Sequence, residues 1–82
     1  MKLIIKTMTG KDLEIDVDLA VSIGELKIEI EKRVKVPAEQ QRLVCNGRIL
    51  MDDKVTLSDL VSSKRMAYSE NVIHMVLALR GG

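Results

Sequence analysis

The chain has 82 residues, of which 46% are hydrophobic and 30% are charged, and its 13 basic and 12 acidic residues nearly cancel. This length allows one small domain, and the hydrophobic content argues against a disordered chain. The charge balance argues against a general nucleic-acid or membrane-surface binder, since such proteins usually carry a basic excess.

The N-terminal segment predicts an antiparallel hairpin. Residues 2–7 are rich in β-branched and apolar side chains, which suit a strand, and Gly10 can take the positive φ of a turn. Residues 12–18 then alternate strictly between acidic and apolar side chains. Because the side-chain period of a strand is two, the apolar set shares one buried face and the acids face water: Leu13, Ile15 and Val17.

A single long helix is predicted after this hairpin. Ser22 and Glu25 have the spacing of a capping box, with Ser22 as the N-cap. Apolar residues then recur at helical intervals and form one stripe: Ile23, Leu26, Ile30 and Val34. Pro37 cannot continue a helix, so we expect the helix to end by about residue 35. The charged residues away from the stripe are expected to face solvent: Lys27, Glu29, Glu31 and Lys32.

A second, tighter hairpin is predicted at residues 42–50. Its centre is Asn46-Gly47, and this pair tolerates the two positive φ angles of a type I′ turn. Thr56 and Asp59 repeat the capping-box spacing and predict a short turn of helix.

The C-terminal third predicts a loop and then a central strand. Residues 61–71 are polar and irregular, whereas residues 72–77 form a nearly unbroken apolar run. Such a run is typical of a strand with neighbours on both sides. The predicted order is strand, strand, helix, strand, strand, short helix, strand, which gives an α+β domain with a mixed sheet and one packed helix.

Several motifs occur in a fixed order along the chain: Lys6-Thr7-x-Thr9-Gly10-Lys11, Pro37-x-x-Gln40-Gln41-Arg42-Leu43, Gly47, Leu57-Ser58-Asp59 and Val76-Leu77-x-Leu79-Arg80-Gly81-Gly82. In this order, and nearly in register, the chain resembles ubiquitin, apart from a few extra residues near Val55 and in the 61–71 segment. The resemblance implies the ubiquitin-like β-grasp, a mixed five-stranded sheet with one α-helix and a short helical turn. It assigns residues 1–78 to the domain and residues 79–82 to a flexible conjugation tail.

Among ubiquitin-like proteins, the chain is more similar to the neddylation modifier, which is attached to cullins, than to ubiquitin. The residue four before the final glycine is Ala78, as in the neddylation modifier, where ubiquitin has an arginine. Five other positions point the same way: Glu14, Asp16, Glu31, Lys54 and Val72. A methyl group and a long cation need different pockets, so Ala78 would decide which activating enzyme accepts the chain.

The resemblance implies a protein modifier and not an enzyme. An activating enzyme would adenylate the Gly82 carboxylate with ATP, and the acyl group would pass as a thioester to a conjugating enzyme and then to a lysine of a cullin or another target. Gly81 and Gly82 lack side chains and can thread a narrow channel. Recognition by the activating enzyme is assigned to four residues: Arg80, Leu79, Ala78 and Leu77. Processing and deconjugating proteases are further expected partners.

Strand alternation and the resemblance together predict a partner-binding patch. If Ile73, Met75 and Leu77 face the core, the residues between them face outward, and the same reasoning turns Val44 outward. With one residue of the nearby turn, these positions match the main recognition patch of ubiquitin: Met8, Val44, His74 and Val76. Without the resemblance this patch would read as ordinary surface.

Four lysines are candidate acceptors for building chains of the modifier: Lys6, Lys11, Lys27 and Lys64. Arg48 stands where ubiquitin has its best-known chain-forming lysine. A guanidinium group cannot form that isopeptide bond, so we expect no chains through position 48.

No catalytic residue, metal ligand set or cofactor site is predicted. Cys45 and His74 are the only cysteine and histidine, so Cys45 reads as a small apolar strand residue and a zinc site within the chain is implausible. A single cysteine without a secretory signal suits a reducing compartment, and we expect a monomer of the cytoplasm and nucleus. The longest apolar stretch, residues 72–79, is too short to span a membrane, which takes about 20 residues.

Three other functions stay open at this point. A divergent ubiquitin is disfavoured by Ala78 and Arg48. A sulfur carrier shares the β-grasp and the Gly-Gly end but is loaded as a thiocarboxylate. A non-conjugated ubiquitin-like binding module would not need Gly82 at all.

Overall fold

The computed structural model describes residues 1–8, 10–66 and 71–77, and it begins with the predicted hairpin. Strand β1 (Lys2–Lys6) pairs antiparallel with β2 (Asp12–Asp16), and Gly10 between them has a φ of +85°. Leu3, Ile5, Leu13 and Ile15 turn inward and the acids of β2 are exposed, as the alternation predicts, whereas Ile4 lies opposite the exposed Glu14 on the other face. The deepest of these apolar residues have almost no exposed surface: Leu3, Ile5 and Ile15.

Helix α1 (Ile23–Val34) forms where the capping-box spacing predicts it. The Ser22 Oγ accepts a hydrogen bond from the Glu25 N–H at 3.2 Å, and the Glu25 carboxylate accepts one from the Ser22 N–H at 3.2 Å. The helix ends at Val34, because Lys35 takes a left-handed conformation with a φ of +61°. Three residues of the predicted stripe are fully buried: Ile23, Leu26 and Ile30.

Lys27 is a correction to the prediction that the charged residues of this helix face solvent. Its side chain is only 13% exposed, and its Nζ lies 2.9 Å from an Asp53 carboxylate oxygen. The segment before the second helix passes close to α1 here, since the Gly24 N–H donates to the Asp53 carbonyl at 3.0 Å. This approach covers the Lys27 side chain, and a pattern within the helix alone does not show it.

The second half of the chain completes the sheet. It contains a short 3₁₀ helix (Ala38–Gln40), which the sequence did not predict, and four further elements: β3 (Gln41–Cys45), β4 (Arg48–Ile49), α2 (Leu57–Ser62) and β5 (Val72–Leu77). The strands lie in the order β2-β1-β5-β3-β4. Strand β5 is therefore central, parallel to β1 and antiparallel to β3, which confirms the prediction from its apolar run.

The turn chemistry of this half also follows the prediction. Asn46 and Gly47 have φ angles of +52° and +80°, as a type I′ turn requires. Thr56 caps α2 in a second capping box with Asp59. The predicted 61–71 loop is partly wrong, because it begins as the last turn of α2 and because the side chain of Met66 is buried in the core. Residues 67–70 of that segment lie outside the described residues.

The core lies between α1 and one face of the sheet. Apolar side chains of both helices and all three long inner strands meet there, with Ile73 and Met75 supplied by β5. Leu77 is a correction, since it does not join this core and is 45% exposed. It lies at the open end of the sheet, where it lines a surface hollow with Val34 and Val36. No helix in the described part of the chain is long and apolar enough to cross a membrane.

Candidate functional site

The sheet face turned away from α1, called the outer face here, holds most of the predicted patch. Five directly paired residues form one row across all the strands: Asp12, Lys6, His74, Val44 and Ile49. Directly paired residues point to the same side of a sheet, so this row lies on one surface. Asp12, Lys6, His74 and Ile49 are exposed and Val44 is half-buried, as expected for an uncovered face.

The structure places three of the four predicted patch residues, Val44, His74 and Val76, on adjacent strands of this face. Val44 and His74 are neighbours in this row. Val76 lies two residues further along β5, opposite Arg42. Met8 is exposed and follows β1 beyond Lys6. Because β1 runs parallel to β5 and Lys6 lies beside His74, the turn that carries Met8 extends towards the Val76 end of the sheet.

The charges around this patch are asymmetric. On the β1–β2 side, Lys2 and Lys6 pair with Glu14 and Asp12 across the strands, at 3.4 Å and 3.7 Å. On the β3–β4 side, Arg42 is exposed opposite Val76, and Arg48 is exposed at the sheet edge, where it pairs with Cys45 of the other face. Neither arginine forms an ion pair among the residues that the structure describes. A guanidinium group with no acidic partner can bind a carboxylate through two parallel hydrogen bonds.

Two exposed apolar residues of the outer edge were missed by the sequence analysis. Ile49 is 50% exposed and Met51 is 75% exposed, whereas Leu50 between them is buried. The alternation of Ile49, Leu50 and Met51 carried a signal for this arrangement, because one buried residue in an extended segment turns its two neighbours the other way. The sequence predicts only a hairpin that includes Ile49, and it assigns no role to Met51.

A second surface lies where β5 ends. Leu77 lines an apolar hollow of about 300 Å³ with residues of the turn, the hairpin, β5, the end of α1 and the segment after it: Met8, Leu13, Met75, Val34 and Val36. Leu77 is thus the one predicted activating-enzyme contact that the structure describes. The other predicted contacts and the conjugation residues lie outside the described residues: Ala78, Leu79, Arg80, Gly81 and Gly82.

The candidate acceptor lysines fall into two environments. Lys6, Lys11 and Lys64 are exposed, and the ion pair of Lys6 with Asp12 lies at the surface. Lys27 differs, because its ammonium group contacts the Asp53 carboxylate and its side chain is largely covered.

Cys45 is buried in β3, which confirms its reading as a small apolar strand residue. Its Sγ lies 3.7 Å from the Arg65 carbonyl oxygen and donates a weak hydrogen bond to it. Within residues 1–8, 10–66 and 71–77, no group of three His, Cys, Asp or Glu residues is placed to hold a metal ion.

Comparisons with known proteins agree on one family. The model of the ubiquitin family matches residues 3–80. The chain is 40% identical over 78 residues to the ubiquitin-like protein NEDD8 of Dictyostelium discoideum, covering 95% of this chain and 94% of that protein. It is 37% identical over 78 residues to ubiquitin-like protein 1 of Schizosaccharomyces pombe, covering 95% and 92%. It is 35% identical over 82 residues to the NEDD8-like protein RUB3 of Arabidopsis thaliana, covering 100% and 97%.

Proposed function

The chain belongs to the ubiquitin family, and on that premise we propose that it is a neddylation-type modifier, joined through the Gly82 carboxyl group to lysines of target proteins, with cullins among them. Proteins of this family are modifiers and not enzymes, so the chain is a substrate of the chemistry that attaches it. Relatives named NEDD8 or NEDD8-like match it over almost their whole length, which supports the finer assignment.

The observation that carries this proposal is the sequence directly after β5. The central strand ends at Leu77, and Ala78-Leu79-Arg80-Gly81-Gly82 follows. Strand β5 stays paired with β3 up to the Gln41–Leu77 pair, so the tail follows directly on a hydrogen-bonded strand. Ala78 presents a methyl group at the position where ubiquitin has a long cation, and this difference favours the neddylation pathway.

The proposed attachment proceeds by acyl transfer. The Gly82 carboxylate attacks the α-phosphorus of ATP, and pyrophosphate leaves. A cysteine thiolate of the activating enzyme then displaces AMP from the acyl adenylate and forms a thioester, which exchanges onto a cysteine of the conjugating enzyme. The amine of a target lysine attacks the thioester carbonyl, the thiolate leaves, and an isopeptide bond remains. The chain contributes its carboxyl group and an unhindered glycine backbone.

Thioester formation with purified activating enzymes tests this proposal. With ATP, we expect the chain to form a reductant-sensitive thioester with the neddylation-activating enzyme and not with the ubiquitin-activating enzyme. The Ala78→Arg variant should lower the first rate by about 5- to 150-fold, since a mismatch of one side chain in a binding pocket costs about 1–3 kcal/mol. A chain lacking Gly82 should form no thioester.

Ala20→Arg is the matched control, because it adds the same charge at an exposed position outside the tail. This variant should form the thioester with the neddylation-activating enzyme at the same rate as the unchanged chain. Thioester formation with the ubiquitin enzyme alone would overturn the neddylation assignment.

We extend the proposal to the way in which the attached modifier is recognised. Partners would bind the outer face through Met8, Val44, His74 and Val76, and proteases would process and remove the modifier at the tail. The free protein would be a monomer of the cytoplasm and nucleus. Two valines and a histidine on adjacent strands, beside exposed cations, support this assignment of the face.

A further inference from the structure

We propose that Ile49 and Met51, together with Arg48 and Arg65, form a docking site for a partner segment that carries an aliphatic side chain flanked by carboxylates. We call these four residues the edge patch. The proposal deepens the recognition role of the outer face, and to that extent it rests on the proposed function.

The edge patch surrounds a shallow hollow. Ile49 and Met51 are among the exposed large apolar side chains of the domain, and both line a hollow of about 170 Å³ beside β4. Its walls also include Val55 and Leu60, of which Leu60 is fully buried. An aliphatic side chain that entered this hollow would cover Ile49 and Met51 and would remove their apolar surface from water.

The edge patch continues the surface of the recognition patch. Ile49 is the direct cross-strand partner of Val44, which lies next to His74. Within residues 1–8, 10–66 and 71–77, strand β4 pairs with β3 alone and stands at the edge of the sheet. Single exposed apolar residues are ordinary, but contiguous ones that end at polar residues are typical of a binding surface. One partner can therefore contact Val44 and the edge patch together.

The charge of the edge patch favours a partner segment with negative charge. Arg48 and Arg65 both line the hollow and are exposed, and neither has an ion pair among the described residues. The acid in the same lining, Asp52, accepts a hydrogen bond from the Lys54 N–H at 2.9 Å. A carboxylate from a partner would meet two guanidinium groups here, and each can hold it through a bidentate pair.

The surface around α1 also exposes a large apolar residue, but its charges differ from those of the edge patch. Ile28 on α1 is also 50% exposed. Its surroundings contain charges of both signs, and Lys32 there already pairs with Glu29 at 3.5 Å. That surface favours neither sign of partner, so Ile28 is a matched control for Ile49.

Selection from a random peptide library displayed on phage tests the proposal. The immobilised probe is the complete 82-residue protein, and the selected peptides are synthesised and titrated against it and its variants. We expect the binders to combine a Leu, Ile or Met side chain with nearby Asp or Glu residues. Ile49→Gln and Met51→Gln should each weaken binding by about tenfold, which one aliphatic contact predicts.

Arg48→Gln and added salt test the contribution of charge to peptide binding. The variant should weaken the same peptides by about tenfold, and salt should weaken them progressively, because the partner charges are partly exposed. Ile28→Gln should leave the affinity unchanged.

Several results would overturn the inference: no enrichment, binders without acidic residues, or binders equally sensitive to Ile28→Gln. Binders that depend on Val44 and not on Ile49 would also overturn it while leaving the proposed function intact. Failure of thioester formation with intact peptide binding would instead remove only the proposed function.

Discussion

At the scale of single residues, the lysines show how the fold assigns different roles to the same side chain. Lys6 lies at the surface in a cross-strand ion pair, which has little effect on stability. Lys27 lies under the segment before α2, with its ammonium group 2.9 Å from the Asp53 carboxylate. Any acylation of Lys27 must first separate this pair and expose the amine, so the structure makes it a poor acceptor.

Brief acylation of the folded protein with a succinimidyl ester tests this difference. We expect Lys27 to be modified several-fold more slowly than Lys6 or Lys11, measured by mass spectrometry of peptides. Asp53→Asn should raise the rate at Lys27 by removing its anionic partner. Asp52→Asn should leave it unchanged, because the Asp52 side chain instead accepts from the Lys54 N–H. Equal rates at all lysines of the native protein would contradict the prediction.

Gln41 is a buried polar residue whose hydrogen bonds join the helix to the sheet. It is 2% exposed at the start of β3, and its Nε2 donates to the carbonyls of Lys27 and Val36, both at 3.0 Å. Gln41→Leu should lower the free energy of unfolding by about 1–3 kcal/mol, since it removes the donor from two partly buried carbonyls. Urea unfolding measures this change. Gln40→Leu, at the neighbouring half-buried position, should stay within about 0.5 kcal/mol.

At the scale of elements, two reciprocal backbone hydrogen bonds join the starts of the two helices, and we call this arrangement the bracket. The first N–H of α1, on Ile23, donates to the Val55 carbonyl at 2.8 Å, and the first N–H of α2, on Leu57, donates to the Val21 carbonyl at 3.0 Å. These amides have no partner within their own helices. Each is satisfied by the residue before the N-cap of the other helix, and the two caps, Ser22 and Thr56, form an isolated antiparallel bridge.

This bracket predicts that the two caps are energetically coupled. Ser22→Ala and Thr56→Ala should each destabilise the domain by about 1 kcal/mol. The double variant should lose at least about 0.5 kcal/mol less than the sum, because loss of either cap already loosens the bracket. Urea unfolding of the four proteins gives the cycle. Ser22→Ala combined with Thr7→Ala, which alters the distant β1–β2 turn, should be additive, and additivity of the first pair would contradict the prediction.

At the scale of the whole molecule, local signals predicted the elements and long-range contacts explain the errors. The capping box of Ser22 and the Asn46-Gly47 turn depend on residues a few positions apart, so they are readable in the sequence. The burial of Lys27 depends on Asp53, and the exposure of Leu77 depends on where β5 ends relative to α1. Such facts arise only when distant segments meet.

One part of the candidate site could also be predicted from the sequence and another part could not. The outward position of Val44 and His74 follows from strand alternation and was predicted. The edge patch was not predicted, because the alternation of Ile49, Leu50 and Met51 shows which side chains turn together but not that the two-residue strand β4 lies at an edge of the sheet. Its position at the border of the sheet is set by the strand order, which places the hairpin at one edge.

The parallel pairing of β1 and β5 has a mechanical consequence. The start of β1 and the end of β5 lie at opposite ends of their shared ladder, which runs from the Ile4–Val72 pair to the Lys6–His74 pair. Tension between the N-terminus and the tail therefore shears this ladder and loads all of its hydrogen bonds at once. Tension across the β3–β4 hairpin would instead open its bonds one after another. A domain pulled by its tail against its N-terminus is thus loaded in a more resistant direction than one pulled across this hairpin.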